Sequence, residues 1–132
     1  MAIMWTVWPL DGEMTEWLTT QDIEFPDVPS RFPTGSEIKR TLDSLDVKVR
    51  YHNNGLGKIW SALIERGDES NSTWATLIID EYAGDDQPQH LYFEKGDETL
   101  IRMLLKRLAA YSGPLVLLDD AGDQPRVITT SE

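Results

Sequence analysis

The most regular pattern of apolar and polar positions runs from Gly96 to Thr130. It opens with an amphipathic helix whose apolar stripe recurs at helical spacing, at Leu100, Ile101, Leu104, Leu105 and Leu108. Asp97 precedes this stripe as an N-cap, because its carboxylate can accept a hydrogen bond from an otherwise unpaired N–H of the first turn. Gly113 and Pro114 end the helix, since the glycine accepts a left-handed backbone and the proline cannot continue the helix.

The segment that follows this helix predicts a β-hairpin. Four consecutive apolar residues, Leu115 to Leu118, are typical of a strand that is covered on both faces. Asp119 to Pro125 then has the composition of a turn, and Arg126 to Thr129 predicts the closing strand.

Four further strands are predicted before the helix. Apolar alternation and turn signals place them at Val47–Asn53, Lys58–Arg66, Thr73–Tyr82 and Gln89–Lys95. Their connections are short, so sequential neighbours are expected to pair as an antiparallel meander.

The first third of the chain predicts a strand and two helices. Ile3 to Trp8 should either extend the sheet or pair with the last strands. A short helix at Glu13–Thr20 is expected to bury Met14, Trp17 and Leu18. After the proline-rich segment Gln21–Pro33, a second main helix begins at a cap formed by Thr34 or Ser36.

These elements predict an α+β fold, which the length of 132 residues limits to one domain, residues 1–132. The sheet should be antiparallel, with mixed pairing left open, and it should be built on the four-stranded meander with a terminal β-hairpin. Both main helices are expected to pack on one face of it.

The net charge is −11, and it is distributed unevenly. Residues 67–100 contain nine acids and one base, whereas residues 34–66 contain four acids and six bases. Nucleic acids and anionic membranes attract positive charge, so neither is an expected partner. The acidic balance either keeps the protein soluble or steers a basic protein towards it.

The expected location is the cytoplasm. The chain contains no cysteine, and its longest apolar runs are far shorter than the roughly 20 residues that cross a bilayer. Met1 to Trp5 also lacks the basic segment and apolar region of a secretory signal. Whether the protein is a monomer or a homodimer is left open.

Candidate metal ligands do not form a recognised pattern, so we predict neither a metal nor another cofactor. His52 and His90 are the two histidines, and no ligand spacing surrounds either of them. Asp119, Asp120 and Asp123 lack the alternation, glycine and glutamate of an EF-hand loop and are better explained as turn formers.

Catalytic motifs are also missing from the sequence, which favours a binding protein over an enzyme. There is no nucleophile elbow, no phosphate-binding glycine loop and no nucleophile with an evident base. A scattered active site on an antiparallel sheet is the alternative.

An aromatic surface surrounded by acids is the predicted partner-binding site. Trp74 and Tyr82 should share one face of a strand, and tryptophan and tyrosine are enriched in binding hot spots. The predicted site consists of these two residues and their acidic neighbours, Asp68, Glu69, Trp74, Asp80, Glu81, Tyr82, Asp85 and Asp86. Such a surface would suit a basic protein.

The C-terminal third, with Leu91–Gly96, Gly113–Leu117 and Asp119–Pro125, resembles small stand-alone bacterial immunity proteins of polymorphic-toxin systems. These motifs are structural, so no toxin-binding residue is carried over from them. The resemblance implies a single-domain inhibitor that occludes a secreted, basic toxin. The alternatives are a small enzyme or ligand-binding domain with a pocket near the sheet and the proline-rich segment, and a phage-derived or structural protein with no dedicated partner.

Overall fold

A computed structural model describes residues 4–53, 59–67, 73–122 and 124–130. Its strands are β1 (Met4–Pro9), β2 (Lys48–Asn53), β3 (Trp60–Arg66), β4 (Thr73–Ile79), β5 (Tyr92–Gly96), β6 (Leu115–Asp119) and β7 (Arg126–Ile128). Its helices are α1 (Gly12–Thr20), α2 (Gly35–Ser44) and α3 (Glu98–Ser112).

The strands form one seven-stranded sheet in the order β2-β3-β4-β5-β1-β6-β7. Every pairing among them is antiparallel, which confirms the predicted α+β class, the four-stranded meander and the terminal hairpin. Strand β1 lies between the meander and the hairpin, pairing with β5 on one side and β6 on the other. The two alternatives given for the first strand are therefore realised together.

Helices α2 and α3 pack on the same face of the sheet, as predicted, and enclose the larger core. Thr34 begins α2 with a capping box, in which its hydroxyl accepts from the Glu37 N–H and the Glu37 carboxylate accepts from the Thr34 N–H. Asp97 begins α3 in the predicted way, by accepting a hydrogen bond from the Leu100 N–H. Local capping chemistry thus fixes where both helices start.

Helix α1 packs on the opposite face, against the hairpin β6–β7. Leu18 is fully buried there with Leu10 and Val116. Trp17 is not buried as predicted, because 40% of its surface remains exposed. The reason is that Leu18 is the buried α1 side chain that points towards the sheet, so Trp17 lies at the edge of the contact between α1 and the sheet.

The opposite face of the sheet lacks a covering helix, among the described elements, wherever α1 does not reach. Along β3, β4 and β1, residues that face the core alternate with residues that are half-buried or exposed. We call the latter surface the open face; on β1 and β3 to β5 it comprises Met4, Thr6, Trp8, Ser61, Leu63, Glu65, Trp74, Thr76, Ile78, Tyr92 and Glu94.

The connection between β4 and β5 is longer than the sequence predicted. Strand β4 ends at Ile79, and β5 begins only at Tyr92. Gln89, which was assigned to a strand, is buried in this connection and organises it. Its carbonyl accepts from the Ala83 N–H at 3.0 Å, and its amide donates to the Gly84 carbonyl at 2.7 Å. A side chain that replaces strand pairing in this way leaves no periodic signal in the sequence.

Candidate functional site

A cavity opens where strands β1 and β5 separate. Their pairing stops at Thr6 and Tyr92; beyond that point Val7 to Pro9 pair only with β6. The gap measures about 570 Å³. We call it the β1–β5 cavity; it is lined by Thr6, Val7, Trp8, Asp80, Glu81, Ala83, Pro88, His90, Leu91 and Tyr92.

The lining of this cavity combines two carboxylates with aromatic rings. The Tyr92 hydroxyl donates to Asp80 Oδ1 at 3.1 Å, and Trp8 Nε1 donates to Thr6 Oγ1 at 2.9 Å. Burial raises the pKa of Tyr92, and the hydrogen bond to Asp80 and the negative charges of Asp80 and Glu94 raise it further. Among the described lining residues none is a lysine or an arginine, so their field is negative.

An aromatic cluster borders the same cavity on the side of the proline-rich segment. The Phe32 ring lies 4.2 Å from the His90 ring and 6.3 Å from the Trp8 ring, centroid to centroid. Phe32 therefore connects the segment to the cavity wall. The alternative prediction placed a pocket near the sheet and this segment; Phe32 contacts two residues of the cavity wall, but the lining residues named above include none from 21–33.

Trp74 lies on the open face but far from most of the predicted acids. Its side chain is 43% exposed, and its neighbour across the strand pair is Glu65. Asp80 follows six positions later, which corresponds to about 20 Å along an extended strand. Two of the predicted acids, Asp68 and Glu69, lie outside the described residues.

Tyr82 does not share a face with Trp74, which corrects the prediction. Strand β4 has already ended at Ile79, so the alternation of faces does not extend to Tyr82. Its ring lies 5.9 Å from that of Trp60, on the side of helix α2. Its hydroxyl donates a hydrogen bond to Asp85.

Asp85 is bound by a cation of the same chain. Lys39 Nζ lies 2.8 Å from Asp85 Oδ1 and 5.0 Å from the centre of the Tyr82 ring. The hydrogen bond from Lys39, followed by that from Tyr82, lowers the pKa of Asp85. Asp86 next to it is exposed.

The predicted acids therefore fall into separate environments. Asp80 and Glu81 face the β1–β5 cavity, Asp85 joins Lys39 and Tyr82, and Trp74 stands at the other end of β4. The cavity residues Thr6, Trp8, His90 and Tyr92 were not predicted as a group from the sequence. Only the insertion of β1 next to β5 brings them together, and no local motif signals that pairing.

The candidate metal ligands also separate. His52 lies exposed on the edge strand β2, whereas His90 lies against Phe32. The side chain of Asp119 is 1% exposed and forms an ion pair with Arg126 at 3.0 Å. Within the described residues no group of three or more histidine and carboxylate side chains is arranged to hold a metal ion. Asp123 falls outside those residues.

No described helix combines the length and the apolar character needed to cross a membrane. Comparisons of the chain with protein-family models, with curated proteins and with solved structures found no match.

Proposed function

We propose that this protein is an acidic binding module whose open face engages a basic protein, and that it acts as an immunity-type inhibitor of a basic bacterial toxin. The observation that carries the proposal is the β1–β5 cavity, where aromatic rings and carboxylates lie side by side on a part of the sheet face whose described lining contains no helix residue. Exposed surface of this kind commonly marks a site of interaction with another molecule.

Charge complementarity supports a basic partner. The net charge of −11 attracts basic proteins at long range, and it accelerates their association. At close range Asp80 and Glu81 provide acceptors beside the rings of Trp8 and Tyr92. Exposed tryptophans are frequent anchors of protein interfaces, and Trp8 and Trp74 are 37% and 43% exposed on this face.

The toxin and the cytoplasmic location are the finer parts of the proposal. They follow the resemblance of the C-terminal third to immunity proteins, which would act in the cytoplasm of the producing cell. That third supplies α3 and the hairpin, which build the covered side of the sheet. The proposed binding surface lies outside α3 and the hairpin; it combines β1 and the end of β4 with Leu91 and Tyr92, which belong to that third.

The test uses the product of the adjacent gene, since an inhibitor of this kind is encoded beside its toxin. We expect a tight complex in titration calorimetry whose affinity falls as salt is raised. Asp80→Asn with Glu81→Gln should weaken it at least tenfold, because charged hydrogen-bond acceptors at an interface are lost.

The matched control, Asp43→Asn with Asp46→Asn, also removes two negative charges, but from exposed positions on the helix side. It should bind like the unmodified protein, apart from a small change in association rate. Absence of binding, or of protection in cells that express the neighbouring protein, would contradict the inhibitor proposal.

A second candidate is a small ligand-binding domain or enzyme, and one observation favours it. His90, Asp80 and Glu81 line the same cavity, whose volume of about 570 Å³ is within the usual range of small-molecule sites. In an enzyme of this kind Asp80, Glu81 and His90 would be the candidates for proton transfer. Saturable binding of a neutral metabolite, lost in His90→Ala, would support this candidate.

A further inference from the structure

Two cations of this chain are held by the same combination of groups. Lys39 lies 5.0 Å above the ring of Tyr82 and 2.8 Å from an oxygen of Asp85. Arg126 lies 5.2 Å from the ring centre of Trp5, and its Nη1 is 3.0 Å from Asp119 Oδ2. In each case an aromatic ring provides a negative face and a carboxylate provides the counter-charge.

The β1–β5 cavity contains two aromatic rings and two carboxylates of the same kind. Trp8 and Tyr92 contribute the rings, and Asp80 and Glu81 contribute the carboxylates. The described lining residues supply neither a lysine nor an arginine to complete it. The hydrogen bond from Tyr92 occupies Asp80 Oδ1 and orients that carboxylate, while each carboxylate retains further acceptor capacity.

The geometry of the lining favours a planar cation. A guanidinium group stacks on aromatic rings and donates paired N–H groups to carboxylates, whereas an ammonium group is a strongly hydrated point charge. The cavity is open to solvent at Asp80 and Glu81, which are both exposed, so a side chain can enter from outside.

We propose that the β1–β5 cavity is a subsite for an arginine side chain of the partner protein. This inference rests on the proposed function, because it names the residue type that the open face would receive. The guanidinium lies against Trp8 or Tyr92 and donates hydrogen bonds to the carboxylates of Asp80 and Glu81, as Arg126 does with Trp5 and Asp119.

The experiment titrates the whole protein with N-acetyl-arginine-N-methylamide and follows it by two-dimensional ¹⁵N–¹H NMR. The indole N–H of Trp8 is the reporter, since it lies in the cavity wall and donates to Thr6. Its signal is assigned from the spectrum of Trp8→Phe. We expect a saturable shift of this signal, while the signal of the buried Trp5 stays in place.

Two analogues test the chemistry. The citrulline analogue has the same shape without the charge, and it should bind at least about tenfold more weakly than the arginine analogue. The lysine analogue should bind with an affinity between the two, because it keeps the charge but loses the planar donor pair. Equal shifts with citrulline, or tighter binding of lysine, would overturn the arginine subsite.

Variants locate the site. Asp80→Asn with Glu81→Gln should weaken arginine binding about tenfold, and Asp43→Asn with Asp46→Asn should leave it unchanged. Undiminished binding in the first pair would overturn the proposal. If that pair fails to fold, Glu81→Gln alone is the milder variant, and it should still weaken binding several-fold.

These results are separable from those on the proposed function. Arginine binding in the cavity without any complex with the neighbouring gene product would leave the subsite in place and reject the inhibitor. A complex that survives in Asp80→Asn with Glu81→Gln would leave the inhibitor in place and reject the subsite.

Discussion

The two faces of the sheet are built from the same strands but differ in what they contact. On β4, Leu77 points into the core beneath α2 and α3 and is fully buried, whereas its neighbour Ile78 is half-buried on the open face. The same alternation separates Ile64 from Leu63 on β3. One face is sealed by apolar packing, and the other exposes aromatic and acidic side chains.

Two pairs of acids illustrate the same division. Glu37 and Asp85 are bound by Arg31 and Lys39 around helix α2. Asp80 and Glu81, on the open side, face a cavity whose described lining contains neither a lysine nor an arginine. Glu37 and Asp85 on the covered side are therefore paired within the chain, whereas Asp80 and Glu81 on the open side retain acceptor capacity for another molecule.

The largest expected effect compares the two neighbours on β4. Leu77→Ala should lower the free energy of unfolding by about 3 kcal/mol, because it leaves a cavity in the core. Ile78→Ala should cost about 1 kcal/mol, since the side chain is only half-buried. Urea denaturation of both variants measures these changes in unfolding free energy. Equal losses of unfolding free energy would mean that the open face is as tightly packed as the core.

A charge on the covered side gives an intermediate, pH-dependent effect. Glu37 Oε1 and Oε2 lie 2.7 and 2.8 Å from the Arg31 guanidinium, and Oε1 also accepts from the Thr34 N–H at 2.9 Å. The hydrogen bond from Arg31 is the largest cause that lowers the pKa of Glu37 below its ordinary value of 4.5. Glu37→Gln should therefore lower the unfolding free energy at neutral pH by about 1 kcal/mol, as for other helix caps.

The sign of the pH dependence follows from that lowered pKa. The ionised carboxylate stabilises the folded state fully above pH 4.5, and the contribution is lost as pH falls through the lower folded-state pKa. The difference in unfolding free energy between Glu37→Gln and the unmodified protein should then vanish at acidic pH. Denaturation curves at neutral and acidic pH check this, with Glu16→Gln on the exposed side of α1 as the control. If Glu37→Gln lowered the unfolding free energy equally at both pH values, the predicted pH dependence would be wrong.

The smallest effect on stability is expected in the cavity. Asp80→Asn with Glu81→Gln should change the unfolding free energy by less than about 0.5 kcal/mol, since both side chains are exposed. The same pair is expected to weaken partner binding, so binding and stability would separate on this face. A large loss of stability, measured by thermal denaturation, would show that these carboxylates maintain the fold.

Much of the fold follows from local signals in the sequence. Asp97 and Gly113 delimit α3 as predicted, and the Thr34 cap begins α2, because capping depends on residues a few positions apart. Alternation predicted β2, β3 and β4 to within a few residues. It extended β4 too far, since Tyr82 continues the polar and apolar pattern although the chain has left the sheet.

The candidate site was predicted only in part. Asp80 and Glu81 were identified from the concentration of acids, which is visible in composition. Their aromatic neighbours were assigned wrongly, because Trp74 lies at the far end of β4 and Tyr82 turns towards α2. Trp8 and Tyr92 could not be paired with them, since these residues are 84 positions apart and meet only through β1 and β5.

The sequence by itself determined the helices, the caps of α2 and α3, the meander and the terminal hairpin, because these depend on neighbouring residues and short connections. The pairing of β1 and the side of the sheet that α1 covers were decided only by the tertiary structure. A strand can join any partner that completes its hydrogen bonds and buries its apolar side, and the alternation of β1 does not specify which. That non-local choice separates β1 from β5 beyond Thr6 and so creates the cavity.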